Sequence, residues 1–598
     1  MVPKKLCSQS FCPRSGVMLS LFILTLLVGI HNATMSITYC TASFKMSELF
    51  TMRFSFMLIA FLFMSESALT AYQKNNKWYT SGVQLVKNNL LLESNKNTAK
   101  NTILFMGDGM GITTVTAARI LDGQKRNENG EENILGWERF PWSAQSKTYN
   151  VNSQSADSGA CATAYLCGVK TNQELIGIDE SGTWNYCGTL TEKNKLVSIL
   201  TLAENAGMST GFVTTARATH ASPSPLYAHS VSGDWESDKD KLEEAKDDAT
   251  NCPDIALQLV EYPHNNGLEV IFAGGRKKMT PKNLTDPEYP DKTGERLDGR
   301  NLIKEWVDKY PNSQYVWNKT AFHNIDPNKV NRVMGLFEPG HMKYEVDRLS
   351  DPAGEPSIEE MTEMAIKILS KNPKGYFLFV EGARIDHGHH AGRAVRALND
   401  AVAFSEAVKK AVEMVNKDET LLITTADHSH VFTVGGYPKR GNPIFGLVMN
   451  IYDDKPNLGD DGKPYTSLGY ANGLGGINGT RENLTGVDTA DKNFRQQATV
   501  IRYKETHGLE DVGIYADGPG AYLFHGVVEQ QYIFHVMDHA MCLSESKQGS
   551  CNKHVTRGGP DTTPGSPTKI SVNGQNKAAV TMISLLALPQ CYTALYVL

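Results

Sequence analysis

Six ionisable side chains follow an apolar run in the stretch "FLFVEGARIDHGHHAG", which extends from Phe377 to Gly392. They are Glu381, Arg384, Asp386, His387, His389 and His390. Asp386 and His390 are four residues apart, so one turn of a helix would place both on the same face. Carboxylate and imidazole are ligands that zinc accepts, and a third ligand would leave one position open for a substrate. The stretch therefore favours a metal site over a solvated loop.

Three further segments carry residues of the same types. "TADHSHVF" contributes Asp427 and His428, and "ETHG" contributes His507. "FMGDGMG" contributes Asp108 between glycines, which let a metal approach the backbone closely. Taken singly, each has an ordinary alternative, because an aspartate at a strand end is often a turn former or helix cap. Together with Asp386 and the residues around it, they are sufficient for two metal ions.

A candidate nucleophile lies in "SADSGACATAYLCGVK", where Ser158 precedes a predicted helix of small residues. A helix N-terminus supplies unpaired backbone N–H groups and a positive dipole end, which suit an oxyanion. No G-x-S-x-G motif surrounds Ser158, which counts against an α/β-hydrolase. A serine activated by a metal fits better, with packing of a small-residue helix as the structural alternative.

The elements that would position these residues are short apolar runs: "NTILFMGD", "STGFVTTA", "LEVIFAGG", "GYFLFVEG" and "TLLITTAD". They are continuous rather than alternating, as in parallel strands that are covered on both faces. Helical patterns separate them, such as "LVSILTLAENAG" and "SIEEMTEMAIKILSK", where Ser357 and Glu360 have capping-box spacing. The alternation predicts an α/β fold with a doubly wound, mainly parallel sheet. Asp108, Glu381 and Asp427 each end a strand, and sites form at that edge of such sheets.

Composition sets the broad class of the chain. It has 598 residues, of which 41% are hydrophobic and 21% are charged, as in globular proteins. The net charge of −6 and the lack of a Lys/Arg-rich tract argue against nucleic-acid binding. The ten cysteines include no C-x-x-C pair, which argues against a zinc ribbon. From Gly435 to Lys504 the sequence becomes rich in Gly, Asn, Asp and Pro, which predicts an inserted surface subdomain and a candidate subunit contact.

Both ends of the chain predict entry into the secretory route. Val17–Ile30 and Phe54–Met64 are typical signal-peptide cores, too short to span a membrane. One chain hardly needs two such signals. We therefore expect either that translation starts at Met46 or Met52, or that the gene model begins upstream of the true start. Ala578–Leu598 is mostly apolar and follows a polar spacer, as in a lipid-anchor signal, with a frayed terminal helix as the alternative.

Glycosylation triplets and cysteines agree with secretion. The Asn-x-Ser/Thr triplets are at Asn32, Asn283, Asn318, Asn478 and Asn483. In an oxidising compartment we expect two disulfides, Cys187 with Cys252 and Cys542 with Cys551, although sequence alone does not fix these pairings.

Six motifs, in order from about residue 78 to 540, resemble animal alkaline phosphatase: "FMGDGMG", "DSGACATAYLCGVK", "THASPSPLYAH", "FVEGARIDHGHH", "TADHSHVF" and "ETHGLEDV". The resemblance implies a homodimeric phosphomonoesterase, GPI-anchored at the extracellular face of the plasma membrane. The expected organisation is a targeting region (1–71), a catalytic domain (72–434 and 505–545), a crown-like insert (435–504), a polar spacer (546–577) and an anchor signal (578–598).

The resemblance also implies roles for individual residues. One zinc, which activates the hydrolytic water, would be held by Asp386, His390 and His507. A second zinc, which keeps Ser158 as an alkoxide, would be held by Asp108, Asp427 and His428. Magnesium would be held by Asp108, Ser222 and Glu381, with His220 near it and His387 beside the phosphate, both through water. A calcium ion would fall on Glu288, Phe337, Glu338 and Glu355, the last standing where the mammalian enzymes usually have aspartate. Ser158 would attack the phosphorus and water would hydrolyse the phosphoserine, a two-metal displacement.

One family residue is missing. The resemblance implies an arginine that grips the phosphate in the segment after "YAHSVSGDW", yet "ESDKDKLEEAKDDATNCPDIALQLV" contains none. Counting back from Cys252, its place falls on Asp248, with Lys246 two residues earlier, and lysine lacks the bidentate fork. A charge-assisted hydrogen bond is worth roughly 1.5–3 kcal/mol, so we expect a slower or weaker-binding phosphatase rather than an inactive one. "DSGAC" stands where "DSAGT" is commoner, so that Cys161 either packs or oxidises.

Two other functions remain as alternatives. One is an enzyme of the same superfamily with another specificity, such as a phosphodiesterase or sulfatase. Those relatives carry threonine, or a modified cysteine or serine, in other motifs. The other is a surface binding or receptor protein on the phosphatase scaffold, which only the missing arginine supports.

Overall fold

The computed structural model describes residues 71–263 and 267–544. The chain divides into two compact units, Met1–Glu93 and Ser94–Leu598. The described part of the first unit contains helices α1 (Ala71–Lys74) and α2 (Lys77–Leu90), and no side chain of α2 is buried. Among the described residues, no helix is both long enough and apolar enough to span a membrane. The predicted signal cores, the anchor signal, Asn32 and Cys551 lie outside the described residues.

A ten-stranded sheet forms the second unit, and it is mainly parallel. Its strands are β1 (Asn101–Gly107), β2 (Trp142–Lys147), β3 (Ser209–Arg217), β4 (Val270–Gly274), β5 (Ser313–Val316), β6 (Arg332–Leu336), β7 (Tyr376–Glu381), β8 (Thr420–Ala426), β12 (Val512–Asp517) and β13 (Val527–Glu529). Their order is β13-β2-β12-β8-β1-β7-β3-β4-β6-β5. Only β12 runs antiparallel to its neighbours β2 and β8.

Helices lie between the strands along the chain. They are α3 (Ile112–Lys125), α4 (Ser158–Cys167), α5 (Ile199–Asn205), α6 (Asp238–Glu244), α7 (Ile255–Glu261), α8 (Arg276–Met279), α9 (Leu302–Lys309), α10 (Lys319–His323), α11 (Glu345–Arg348), α12 (Ile358–Leu369), α13 (Arg384–His390), α14 (Ala394–Met414) and α15 (Tyr532–Met541). The predicted capping box is present: Ser357 and Glu360 cap the start of α12 through both reciprocal hydrogen bonds.

The predicted fold class is confirmed. The five apolar runs form β8, β1, β7, β3 and β4, five consecutive strands at the centre of the sheet. Alternate residues of β1 enter two separate hydrophobic cores, with Leu104 in one and Phe105 in the other. Because successive side chains of a strand point to opposite faces, the two cores lie on the two faces of the sheet. This burial on both faces explains why the runs are continuously apolar.

A small three-stranded sheet is formed by β9 (Phe432–Val434), β10 (Leu468–Gly473) and β11 (Ala498–Ile501). Strands β10 and β11 fall within the predicted insert, residues 435–504. Loops and turns make up most of the rest of this segment. Its role as a separate crown-like subdomain stays a prediction.

The predicted disulfide between Cys187 and Cys252 is confirmed, with a Cα–Cα distance of 5.9 Å. It lies in a small core with Leu175, Ile178 and Trp235. The predicted pairing of Cys542 with Cys551 stays a prediction, because its second member lies outside the described residues.

The predicted glycosylation sites differ in exposure. Asn283, Asn478 and Asn483 are exposed, whereas Asn318 is half-buried. The side chain of Asn318 caps α10 by accepting a hydrogen bond from the Ala321 N–H. Glycosylation at these positions stays a prediction.

Candidate active site

Three carboxylates stand at the ends of three adjacent strands. Asp108 follows β1, Glu381 ends β7 and Asp427 follows β8, and β1 lies between the other two. The register places Met106 opposite Glu381 and Gly107 opposite Ala426. All three carboxylates are fully buried. The structure therefore brings the predicted acids together at the carboxyl edge of the sheet.

Ser158 is the first residue of α4, and its Oγ lies 3.1 Å from His428 Nε2 and 3.4 Å from Asp108 Oδ1. Asp157 caps this helix by accepting hydrogen bonds from the N–H groups of Gly159 and Ala160. The expectation that these two N–H groups are free to hold an oxyanion is therefore not met. The Ser158 hydroxyl instead faces a histidine and a carboxylate.

One candidate metal group surrounds Asp386, which lies with His390 on α13. Its Oδ1 is 3.3 Å from His390 Nε2 and 3.4 Å from His507 Nε2, so the three predicted ligands meet. A fourth imidazole, His430, places its Nε2 2.7 Å from the same oxygen. The four residues form one group that could hold a metal ion.

The hydrogen bonds around this group show that it fits a cation. His390 Nδ1 lies 2.7 Å from the Glu505 carbonyl oxygen, and His507 Nδ1 lies 2.6 Å from the Ala156 carbonyl oxygen. A carbonyl oxygen only accepts, so each Nδ1 carries the proton and each neutral ring has its lone pair on Nε2. These two Nε2 atoms face each other at 3.0 Å. Two lone pairs at this distance repel unless a cation lies beside them, which is the arrangement of ligating histidines.

A second group adjoins Ser158. His428 Nε2 lies 3.2 Å from Asp427 Oδ2 and 3.6 Å from Asp108 Oδ1. Its Nδ1 lies 3.2 Å from the Ser429 carbonyl oxygen, which again leaves the lone pair on Nε2. The Oδ2 atoms of Asp108 and Asp427 are buried without a hydrogen-bond partner. These unpaired acceptors, all on predicted ligands, fit a second cation.

A third group is rich in oxygen. Asp108, Glu381 and His220 could hold a metal together. Glu381 Oε1 and the Ser222 hydroxyl are buried without a hydrogen-bond partner, while Glu381 Oε2 accepts from Thr214 at 2.5 Å. Carboxylate and hydroxyl oxygens are the ligands that magnesium prefers. Ser222 lies near this group, because burial raises the pKa of Glu381 whereas the hydroxyls of Thr214 and Ser222 act to lower it.

The crowded acids raise one another's pKa. Burial, and then the carboxylates of Asp427 and Asp386, raise the pKa of Asp108 well above its usual range. Burial also raises the pKa of Glu381 to about 7. Burial opposes ionisation of Asp386, yet the neighbouring His390 and His430 hold its pKa well below the usual range. Buried acids of this kind need cations to stay ionised.

Two residues of the site were missed in the sequence. His430 Nδ1 contacts Glu505 Oε2 at 2.6 Å, so that His430 bridges Glu505 and Asp386. Burial opposes the charged form of the His430 ring, whereas the carboxylates of Glu505 and Asp386 favour it. The carboxylates outweigh burial, and the pKa of His430 rises to about 10. The signals were present, since His430 is two residues after His428 and Glu505 is two residues before His507.

A second cluster of imidazoles lies at the outer side of the site. We call His220, His341 and His387 the outer histidine cluster; they are half-buried, and one ring nitrogen of each lies within 4.8 Å of the others. His220 and His387 were predicted near the phosphate, whereas His341 was not predicted. Arg217 donates to His341 Nε2, and Arg384 donates to His387 Nδ1 at 3.0 Å.

Asp248 does not occupy the place of the missing arginine. It lies in an exposed turn, where its carboxylate accepts hydrogen bonds from the N–H and hydroxyl of Thr250. Lys246 lies over the Trp184 ring, 4.1 Å from its centroid. Counting back from Cys252 did not locate the phosphate-binding position, because the number of residues in a loop does not fix where each of them lies. Neither residue contacts Ser158.

The predicted calcium residues are close together. Carboxylate oxygens of Glu288 and Glu338 meet those of Asp351, which was not predicted. Glu355 lies near these carboxylates. Burial, and then the charges of Glu338 and Asp351, raise its pKa to about 9. Phe337 has its side chain in the core, so only its backbone could serve as a ligand. Calcium binding stays a prediction.

Comparison with known sequences identifies close relatives. A family model described as alkaline phosphatase matches residues 99–543. The tissue-nonspecific alkaline phosphatase of Felis catus is 48% identical over 512 residues, which cover 84% of this chain and 95% of that protein. The human tissue-nonspecific isozyme is 46% identical over 499 residues (82% and 92%). The alkaline phosphatase of Gadus morhua is 48% identical over 460 residues (76% and 94%).

Comparison with solved structures shows the same fold. Alkaline phosphatase from the Antarctic bacterium TAB5 has a TM-score of 0.52 at 21% identity, covering 75% of this chain and all of that one. The Thermus thermophilus alkaline phosphatase has a TM-score of 0.53 at 21% identity, covering 80% and 96%.

Proposed function

Because the chain belongs to the alkaline phosphatase family and is a phosphoric monoester hydrolase, we propose that it acts through a phosphoserine on Ser158. The observation that carries this proposal is the position of Ser158 Oγ, 3.1 Å from His428 Nε2 and 3.4 Å from Asp108 Oδ1. Both contacts are to residues whose remaining acceptors fit a cation. A serine hydroxyl in such a place can lose its proton more readily than one in water.

The residues that would hold the metals follow from the three groups. One zinc would be held by Asp386, His390 and His507, a second by Asp108, Asp427 and His428, and magnesium by Asp108, Ser222 and Glu381. When bound, the ions would supply Lewis-acid charge that lowers the pKa of the attacking oxygens and stabilises the leaving oxygen.

The chain's own residues would carry out two displacements. In the first, Ser158 Oγ attacks phosphorus, an O–P bond forms, and the ester P–O bond breaks, so that the alcohol leaves and takes up a proton. In the second, water attacks the phosphoserine, which releases inorganic phosphate and returns the serine hydroxyl. Asp157 fixes the first turn of α4, so that Ser158 stays aligned through both steps. Asp386 holds two imidazoles in place beside the site.

We expect reduced phosphate affinity compared with enzymes that have the arginine. In the described part of the chain, no arginine hydrogen-bonds to Ser158 or Asp157. Arg217 and Arg384 are already engaged, the first by Glu236 and the second by His387. Secretion, a lipid anchor and homodimer formation belong to the same proposal and rest on the sequence signals alone.

Expression of residues 72–575 in a secretory host, with zinc and magnesium, tests the proposal. We expect hydrolysis of p-nitrophenyl phosphate at alkaline pH, and Ser158→Ala should lower kcat by at least about a thousandfold. Ser155→Ala is the matched control, since its hydroxyl makes no hydrogen bond within the described part of the chain. Folded, zinc-loaded wild type without activity would contradict the proposal and favour a binding role on the same scaffold.

A further inference from the structure

Two members of the outer histidine cluster, His341 and His387, have their tautomers set by arginines. A guanidinium only donates, so His341 Nε2, which Arg217 contacts, must be the acceptor of that bond. A neutral imidazole has one N–H, which places the proton of His341 on Nδ1. This Nδ1 is buried and has no hydrogen-bond partner. By the same reasoning, Arg384 fixes the proton of His387 on Nε2.

Both arginines are held firmly, so these tautomers are fixed. Glu236 binds Arg217 through both carboxylate oxygens, with 2.7 Å from Arg217 Nε to Glu236 Oε2. Arg384 stacks on Tyr344, with its guanidinium carbon 3.6 Å from the ring centroid. Each imidazole tautomer is therefore set by a guanidinium that makes a further contact of its own.

The proton on His341 suits an oxygen better than a metal. One ring nitrogen of each histidine lies within 4.8 Å of the others, so a single atom between them can contact all three. A metal takes the lone pair of an imidazole nitrogen, whereas His341 Nδ1 carries a proton. A metal on His341 Nδ1 would also move the proton to Nε2, where it would face the donor of Arg217. The cluster thus favours an anionic oxygen over a cation.

The cluster adjoins the reaction centre and has a fixed backbone. His220 belongs both to this cluster and to the group of Asp108 and Glu381. Asp108 in turn lies 3.4 Å from Ser158 Oγ. The loop that carries His341 is fixed to the sheet, because the Met342 N–H donates to the Thr215 carbonyl at 3.0 Å.

We propose that His341 is a phosphate-binding residue, which donates its Nδ1–H to an oxygen of the substrate phosphoryl group within the outer histidine cluster. This inference rests on the proposed phosphatase function. It assigns to a neutral, arginine-oriented imidazole part of the phosphate contact that the missing arginine would make. The ligand class is a phosphate monoester or inorganic phosphate, whatever the alcohol.

Two variants of His341 test the proposal in the full chain. His341→Phe keeps a ring but removes the donor, and His341→Asn keeps an amide N–H near the position of Nδ1. We expect His341→Phe to raise both KM and the inhibition constant of inorganic phosphate by about tenfold to hundredfold, the value of a hydrogen bond to a charged acceptor. kcat should change less, and His341→Asn should recover most of the loss. The factor should be the same for p-nitrophenyl phosphate and glycerol phosphate.

The outcomes separate this proposal from its premise. Loss of activity in Ser158→Ala with unchanged constants in both His341 variants would overturn the role of His341 and leave the phosphatase function intact. A lower zinc content in folded His341→Phe would overturn it too, in favour of a metal site. If His341→Phe fails to fold, KM and the phosphate inhibition constant are compared between His341→Asn and His341→Asp. Equal values for these two variants would contradict a donor role for His341.

Discussion

At the scale of residues, backbone carbonyls decide which imidazole nitrogen can bind a metal. His390, His428 and His507 each place Nδ1 against a carbonyl oxygen, which turns the lone pair of Nε2 toward the carboxylates. A ring with the other tautomer would present a proton and repel the cation. The histidines proposed as ligands are therefore distinguished by their hydrogen bonds rather than by their exposure.

Two neighbouring acids beside Ser158, Asp157 and Glu174, suggest where an arginine would act. Asp157 and Glu174 are close, since the Glu174 N–H donates to Asp157 Oδ1 at 3.0 Å. Burial, then Asp157 and Asp234, raise the pKa of Glu174 to about 8. A Cβ added at Gly233 would lie 3.8 Å from Glu174 Oε2, without a clash. These acids repel a phosphate and would orient a guanidinium.

We predict that Gly233→Arg tightens inhibition by inorganic phosphate by at least about tenfold, because a bidentate guanidinium adds charge-assisted hydrogen bonds. The inhibition constant against p-nitrophenyl phosphate hydrolysis measures it. Asp248→Arg is the matched control, since it adds an arginine in an exposed turn away from the site. Equal constants for Gly233→Arg, Asp248→Arg and wild type would refute the role of Asp157 and Glu174.

The sequence predicts the acids and histidines of the site but not all of their partners. Asp108, Glu381 and Asp427 could be found because each ends an apolar run, and strand ends meet at one edge. His341 could not, because it reaches the site from a loop whose path depends on tertiary packing. Asp248 was misplaced for the same reason.

At the scale of elements, central strands were predictable and edge strands were not. Strand β1 is buried along almost its whole length, whereas β2 alternates between buried and exposed residues and carries polar side chains. Strand β13 has three residues, and β5 has four. Short or half-exposed strands lack a continuous apolar run, so that only pairing with a neighbour defines them.

The disulfide supports a segment that has little core of its own. Cys187 and Cys252 are 65 positions apart in the sequence, and they pack with only a few apolar side chains. We predict that the double change to serine lowers the free energy of unfolding by about 4 kcal/mol, since a closed loop of this length restricts the unfolded chain. Thermal unfolding followed by circular dichroism measures the effect.

Cys167→Ala provides the comparison for the disulfide, because Cys167 is buried but unpaired. Cys167→Ala should lower the free energy of unfolding far less than the double serine variant does. A double variant that melts together with wild type would show that this cross-link contributes nothing.

At the scale of the whole molecule, the metals are expected to stabilise the fold as well as the reaction. Asp108, Asp386, Asp427 and Glu381 are buried at one edge of a single sheet. Removing the cations leaves these carboxylates to repel one another or to bind protons, which weakens the centre of the domain. Removal of the cations is therefore expected to lower the free energy of unfolding of the whole domain, rather than to disturb the site alone.

We predict that chelation lowers the melting temperature and that zinc with magnesium restores it. A site filled at a hundred times its Kd adds about 2.7 kcal/mol to the free energy of unfolding. Ser158→Ala separates stability from turnover, because it should lose activity and keep the metal-dependent shift. Identical melting of chelated and reloaded wild type would contradict the assignment of the three groups.

The site draws on residues that are far apart along the chain, and this has a consequence for biosynthesis. Asp386 is synthesised 121 residues before His507, which corresponds to about 6–24 s of synthesis at about 5–20 residues per second. During that interval no nascent chain contains all four residues of the group around Asp386. A metal ion can therefore meet the full group only after His507 has been added to the chain.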